Sequence, residues 1–250
     1  MESKEPRIIY DDPFILVVSK PPGMHTAPLS CDESGTLVSW VVERYPDIRC
    51  VTGKKPEEPG LIHRLDRETS GLVLFARTAE AYRSLLVQSN SFGVKKYYRA
   101  FCTIGPVSLP PEGFDTRSWE DELHAKKQTT GEYRIRSRFR PFGPGRKLVH
   151  PVPSEVLPSS TKEVSPRVYE TIFAPSKRED EIWDVRAVIF LGFRHQIRVH
   201  LASAGLPIMG DPLYGSPENR ERMYLHAESL TFIHPAKGIE MELEDPAPFS

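Results

Sequence analysis

The run Gly71-Leu72-Val73-Leu74-Phe75-Ala76 is apolar at nearly every position. A strand sends successive side chains to opposite faces, so this run predicts a strand covered on both sides. It is entered through Thr69-Ser70-Gly71, which in isolation is a turn whose hydroxyls satisfy backbone groups. Further strand-like runs occur at 8–10 and 14–18, joined by the turn Asp11-Asp12-Pro13, and at 97–104, 168–173, 183–190, 225–233 and 239–243. Helical spacing of apolar residues appears at 36–45, 79–88 and 196–204, the last stopped by Gly205. Many strands interleaved with few helices predict an α+β fold with a mixed, largely antiparallel sheet flanked by helices and loops.

The chain has 250 residues, room for a sizeable core. Residues 1–7 read as a flexible tail and 8–250 as a single domain. No Gly-rich phosphate loop is present, which argues against a nucleotide-hydrolysing enzyme. Three cysteines without CxxC spacing are neither a disulfide framework nor a metal knuckle. The N-terminus lacks an apolar signal region, and no stretch approaches about 20 apolar residues. A cytoplasmic protein with no membrane partner is expected.

The formal net charge is -1, which gives no overall support to nucleic-acid binding. The charge is segregated, however. Residues 126–147 hold eight basic side chains and one acid, whereas 216–250 hold seven acids and three bases. Within the basic stretch, Arg134, Arg136, Arg138 and Arg140 fall at every second position. In a strand they would share one face, with Tyr133, Ile135 and Phe139 on the other. Such a ribbon suits a phosphate backbone. It lies in a stretch, 105–167, that reads as a basic, Pro-rich insertion; six prolines fall within 141–166, which predicts an irregular loop.

Asp66 sits between Arg64 and Arg67 and alone would read as a salt-bridged aspartate. The full run Leu61-Ile62-His63-Arg64-Leu65-Asp66-Arg67-Glu68-Thr69-Ser70-Gly71-Leu72 resembles the HRLDxxTSGL signature of the RluA family of pseudouridine synthases. Arg194-His195-Gln196-Ile197-Arg198-Val199-His200 resembles that family's HQIRVH element. Ser19-Lys20-Pro21-Pro22-Gly23, Lys96-Tyr97-Tyr98-Arg99-Ala100, Gly210-Asp211-Pro212-Leu213-Tyr214-Gly215, Leu225-His226-Ala227 and His234-Pro235 match further blocks in order. The resemblance covers roughly residues 8–243.

The resemblance implies the pseudouridine synthase catalytic fold and the isomerisation of uridine in structured RNA. The bond from ribose to the uracil nitrogen breaks, the base turns, and it rejoins through carbon. Asp66 takes the nucleophile's place, and a nearby cation, placed by the family at Arg198, would favour its charged form. Tyr98, with Tyr97 as the weaker choice, would lie against the base. The reactive base must leave its stack, at a cost of a few kcal/mol, and Arg64 is the candidate for contact with the RNA it vacates. His63, His195 and Gln196 join Arg64 and the four ribbon arginines as candidate RNA-contacting residues.

Nothing is added or removed in this reaction, so no cofactor and no metal is expected. His195 and His200 are five apart with no Glu between them, unlike a zinc helix. The expected partner is ribosomal or transfer RNA, bound by a monomer. An RNA chaperone of the same fold with weak catalysis is the alternative; an unrelated hydrolase lacks a nucleophile elbow or a metal set. Two departures stand out. Gly192-Phe193-Arg194-His195-Gln196 replaces the family's Gly-Arg-Thr-His-Gln; if strand-like there, the shifted arginine would face the other way. The 105–167 stretch is longer than usual, and no room is expected beside it for the separate N-terminal RNA-binding domain of many relatives.

Overall fold

A computed structural model describes residues 5–29, 33–105, 131–154, 164–178, 181–215 and 220–250. The chain divides into two compact units, Met1–Tyr98 with His226–Ser250, and Arg99–Leu225.

In the first unit, β1 (Arg7–Asp11) and β2 (Ile15–Lys20) form an antiparallel hairpin. Asp12 closes its turn by accepting from the Phe14 and Ile15 amides at 2.9 and 3.0 Å. β2 pairs antiparallel with β3 (Ser70–Ala76), and β3 pairs parallel with β9 (Leu225–Ile233), which carries β10 (Glu240–Glu244) on its edge. All seven residues of β3 are buried, as the apolar run requires. Leu72 and Leu74 join Ile15 and Val17 of β2 and Leu230 and Phe232 of β9 in one core. α2 (Ala79–Asn90) closes over it with Ala81, Tyr82 and Leu85. α1 (Leu37–Arg44) begins at a capping box in which Thr36 and Ser39 bond reciprocally. β1 starts at Arg7, within the segment expected as a tail, and Arg7 pairs with the buried Asp245 at 2.6 Å.

β4 (Lys95–Thr103) leads into the second unit. There β8 (Ile182–Ile189), β7 (Tyr169–Lys177), β5 (Tyr133–Phe142) and β6 (Leu148–Pro153) form an antiparallel array in that order. α3 (Gln196–Ser203) is buried at every position. β5 confirms the expected alternation: Tyr133, Ile135, Ser137 and Phe139 face inward, and the arginines face outward.

Two expectations are corrected here. The Pro-rich segment is not irregular throughout, because Pro141 lies in β5 and Pro151 and Pro153 in β6. β6 ends the array of this unit, where a missing N–H disrupts little. Arg194 lies in a turn rather than a strand, so the face-reversal argument does not apply. Its Nη2 donates to the Arg146 and Leu148 carbonyls at 2.5 and 3.3 Å. Phe193, at the position of the family's arginine, stacks on Phe139 with ring centroids 4.8 Å apart and joins an apolar cluster. Lys126, Lys127 and much of the proposed insertion lie outside the described residues.

Candidate active site

Asp66 lies in the short loop that feeds β3, and the loop is pinned along its length. Thr26 Oγ1 donates to the Leu65 carbonyl at 2.8 Å and accepts from the Leu65 amide at 3.1 Å. The Gly23 amide donates to the Arg67 carbonyl at 2.8 Å, and Arg67 Nε returns a bond to the Gly23 carbonyl at 3.0 Å. Lys20, wholly buried, reaches the carbonyls of Pro21, Met24 and Arg67 at 2.9, 2.9 and 3.2 Å. The Ser-Lys-Pro-Pro-Gly turn and the Asp66 loop thus hold each other, which explains why both blocks occur together in the sequence. Charged donors make such bonds stronger than neutral ones.

Beyond Asp66 the chain is held from the far side of β3. Ser70 Oγ lies 2.8 Å from His226 Nδ1, and His226 Nε2 lies 2.7 Å from the Asp245 carbonyl. A carbonyl only accepts, so Nε2 carries a proton, and Ser70 donates to Nδ1 whenever the ring is neutral. Burial works to raise the Asp245 carboxyl, but hydrogen bonds from His226 and Ser19, with the charges of His226 and Arg7, hold it below its ordinary value.

The loop's other candidates separate. His63 turns its ring inward: Nε2 accepts from the Leu74 amide at 3.3 Å, and Nδ1 is shielded from solvent. Burial, reinforced by the charges of Lys96 and Lys54, pushes its pKa down to about 3. His63 is therefore neutral at physiological pH and ties the loop to β3. Arg64 points outward, its side chain 54% exposed, with Nη1 3.1 Å from the buried Glu58 carboxylate. Arg64 thus meets a counter-ion while much of its side chain stays exposed. No motif in the chain pointed to Glu58 as its partner.

Tyr98 is buried and Tyr97 is partly exposed, so alternation along β4 separates the two tyrosine candidates. Burial raises the Tyr98 pKa, and the negative charge of Asp66 raises it further. This coupling brings Asp66 and Tyr98 into one electrostatic neighbourhood and keeps the phenol protonated. Lys96, two residues earlier on the same face, is also buried. Burial first, then the charge of Lys54, lowers its pKa to about 8.

In the second unit Arg198 is 1% exposed and grips Asp211 through two bonds, Nε–Oδ2 at 2.8 Å and Nη2–Oδ1 at 2.7 Å. Asp211 is fixed in turn by the Leu213 and Tyr214 amides at 2.8 and 3.2 Å. The Tyr214 hydroxyl accepts from the Val149 amide at 2.8 Å and meets His195 Nδ1 at 2.9 Å. His195 caps α3 in the left-handed region, at φ 58°, and is partly exposed. Gln196 is buried; its amide donates to the Glu170 carbonyl and Thr171 Oγ1 at 2.9 and 3.1 Å, and its oxygen accepts from the Phe193 amide at 3.0 Å. Those bonds engage Gln196 in the fold. His200, fully buried, bridges Ser137 and Thr171 at 2.8 Å each, and burial lowers its pKa to about 3.

The four ribbon arginines also divide. Arg134 and Arg136 are exposed, Arg136 lying 3.7 Å from Glu170. Arg138 Nη1 donates to the carbonyls of Ser165 and Pro166, and Arg138 and Arg140 are partly buried.

The model of the RNA pseudouridylate synthase family matches residues 14–203, three quarters of the chain. This chain belongs to that family. Among its relatives, the ribosomal large subunit pseudouridine synthase D of Pseudomonas aeruginosa is 29% identical over 98% of this chain and 69% of its own length. An uncharacterized RNA pseudouridine synthase of Chloroflexus aurantiacus is 33% identical over 92% of this chain and 62% of its own. Against the synthase D of Neisseria meningitidis this pseudouridylate synthase-family chain spans 58% of the relative's length. The solved structure of human RNA pseudouridylate synthase domain containing 1 shares the fold, with a TM-score of 0.66 at 23% identity over 100% of this chain and 88% of that one.

Proposed function

We propose that this chain converts uridine to pseudouridine in structured RNA, with Asp66 as nucleophile, Tyr98 against the flipped base and Arg198 as the cation that favours the charged carboxylate. Family membership supports the reaction, and the coupling of Asp66 to a buried, protonated Tyr98 is the observation that carries the assignment of residues. A protonated phenol in an enclosed place can donate to a base oxygen and offer a ring face while the uracil turns. It cannot serve as a resting phenolate base. The backbone pinned on either side of Asp66 limits the ordering left for the reactive step.

The substrate class is ribosomal RNA in this reading, supported by relatives whose names specify the large ribosomal subunit. Transfer RNA would be the outcome of a failed match. The test maps pseudouridine in total RNA from cells lacking this protein and from cells complemented with wild type or Asp66→Asn. Wild type should restore specific sites and Asp66→Asn should restore none, while protein level stays equal. Restoration by Asp66→Asn would remove Asp66 as the nucleophile. Sites restored only in transfer RNA would correct the substrate.

A further inference from the structure

The strand registers of the second unit extend the arginine ribbon in a direction that the sequence does not show. Residues paired across neighbouring strands share a face. Arg134 pairs with Ile172, which pairs with Val188; Arg136 pairs with Glu170; Ala174, next on that face of β7, pairs with Arg186 of β8. Burial confirms the sidedness. Thr171, Phe173, Val185 and Ala187 are buried, whereas Arg134, Arg136 and Arg186 are exposed and Ile172, Val188 and Ala174 partly so. Arg134 and Arg136 stand about 7 Å apart along β5, and Arg186 stands two strands away, about 10 Å across.

Of the acids on this face, Asp184 is gripped by Arg99 at 3.0, 3.2 and 2.7 Å, and Glu170 lies 3.7 Å from Arg136 and offsets part of its charge. Among the described residues, no acid lies within ion-pair distance of Arg134 or Arg186. Toward β6 the face closes, because Arg138 is tied to main-chain carbonyls and His150 is buried.

We infer that the outward face of β5, β7 and β8, through Arg134, Arg136 and Arg186, carries the phosphate backbone of the substrate RNA. The inference rests on the reading of the chain as an RNA-modifying enzyme and deepens it. Three arginines surround an aliphatic strip of Ile172 and Val188, and guanidinium groups suit phosphate oxygens. Neither Ile172 nor Val188 offers an aromatic ring on which a base could stack, so these side chains favour contact with backbone and shape over sequence. A flat basic face of this kind fits the ordered backbone flanking a target loop. The flipped uridine itself belongs to Asp66 and Tyr98.

The experiment measures binding of the full chain to a synthetic RNA hairpin over a salt series, for wild type and for the triple variants Arg134→Ala/Arg136→Ala/Arg186→Ala and Arg134→Lys/Arg136→Lys/Arg186→Lys. The alanine variant should bind roughly ten-fold or more weakly, with its log–log salt slope shallower by about 2–3. The lysine variant should retain most of the affinity and slope. Equal affinity and slope in the alanine variant would overturn the inference and leave the face to an acidic protein partner. A lysine variant as weak as the alanine variant would overturn the charge argument. Absence of pseudouridine with wild-type protein would sink the enzymatic reading while leaving the binding result intact, so the two failures are distinguishable.

Discussion

Gly71 is where the loop bearing Asp66 becomes β3, and its φ is +109°. A Cβ there would stand 2.3 Å from the Ala227 carbonyl oxygen and 2.6 Å from the Ala227 nitrogen, both backbone atoms of the paired strand β9. Neither atom can rotate away, so Gly71→Ala must open the parallel β3–β9 contact as well as strain its own backbone. The same opening would pull Ser70 from His226, whose bond of 2.8 Å bridges the two strands. The expected loss is more than about 3 kcal/mol of folding stability, at the upper end for a single substitution. Denaturant unfolding of the purified variant measures it. A loss below about 1 kcal/mol would show that the strands can separate at little cost.

At the scale of elements, local pattern carried most of the fold. β3 was legible because an all-apolar run has few other uses, and α1 because its apolar residues recur at helical spacing. β6 was not, because prolines mark turns in sequence, and only its place beside β5 makes them tolerable. In the site, the alternation of Tyr97 and Tyr98 could be read in advance, but the partners of charged residues could not. Asp211 is thirteen residues from Arg198, and Glu58 six from Arg64, with nothing local to specify either pairing. α3 depends on the first of these. Asp211→Asn removes one charge from a pair whose side chains are 1% and 0% exposed and takes the two-bond carboxylate partner from Arg198 inside the fold. Breaking a buried pair in this way costs about 3–5 kcal/mol, equivalent to a fall in Tm of roughly 10 °C in a chain of this size. A thermal scan reads this directly, and a Tm within a degree or two of wild type would mean that Arg198 finds another counter-charge.

Across the whole molecule, the near-zero net charge conceals groups that respond to acid very differently. Two histidines, one in each unit, are held neutral, with pKa values lowered to about 3: His63 by burial and the charges of Lys96 and Lys54, and His200 by burial. Above pH 6.5 both are neutral folded or unfolded, and stability does not depend on them. Below pH 6.5 the unfolded chain takes up protons that the folded chain refuses, so stability falls as pH falls, down to about pH 3. His200 is fully buried, and the slope it contributes is about 1.4 kcal/mol per pH unit. His63 adds less, since the residue is partly exposed. The depressed Asp245 acts in the same direction but only below the ordinary carboxylate range, so the histidine effect comes first on acidification. Urea unfolding at pH 7.5 and pH 5.5 should therefore show a loss of about 1.4 kcal/mol or more at the lower pH. His200→Gln keeps a side chain able to bond Ser137 and Thr171 but cannot take up a proton, so it should remove the larger part of that loss. A wild-type slope retained in His200→Gln would place the acid sensitivity elsewhere in the chain.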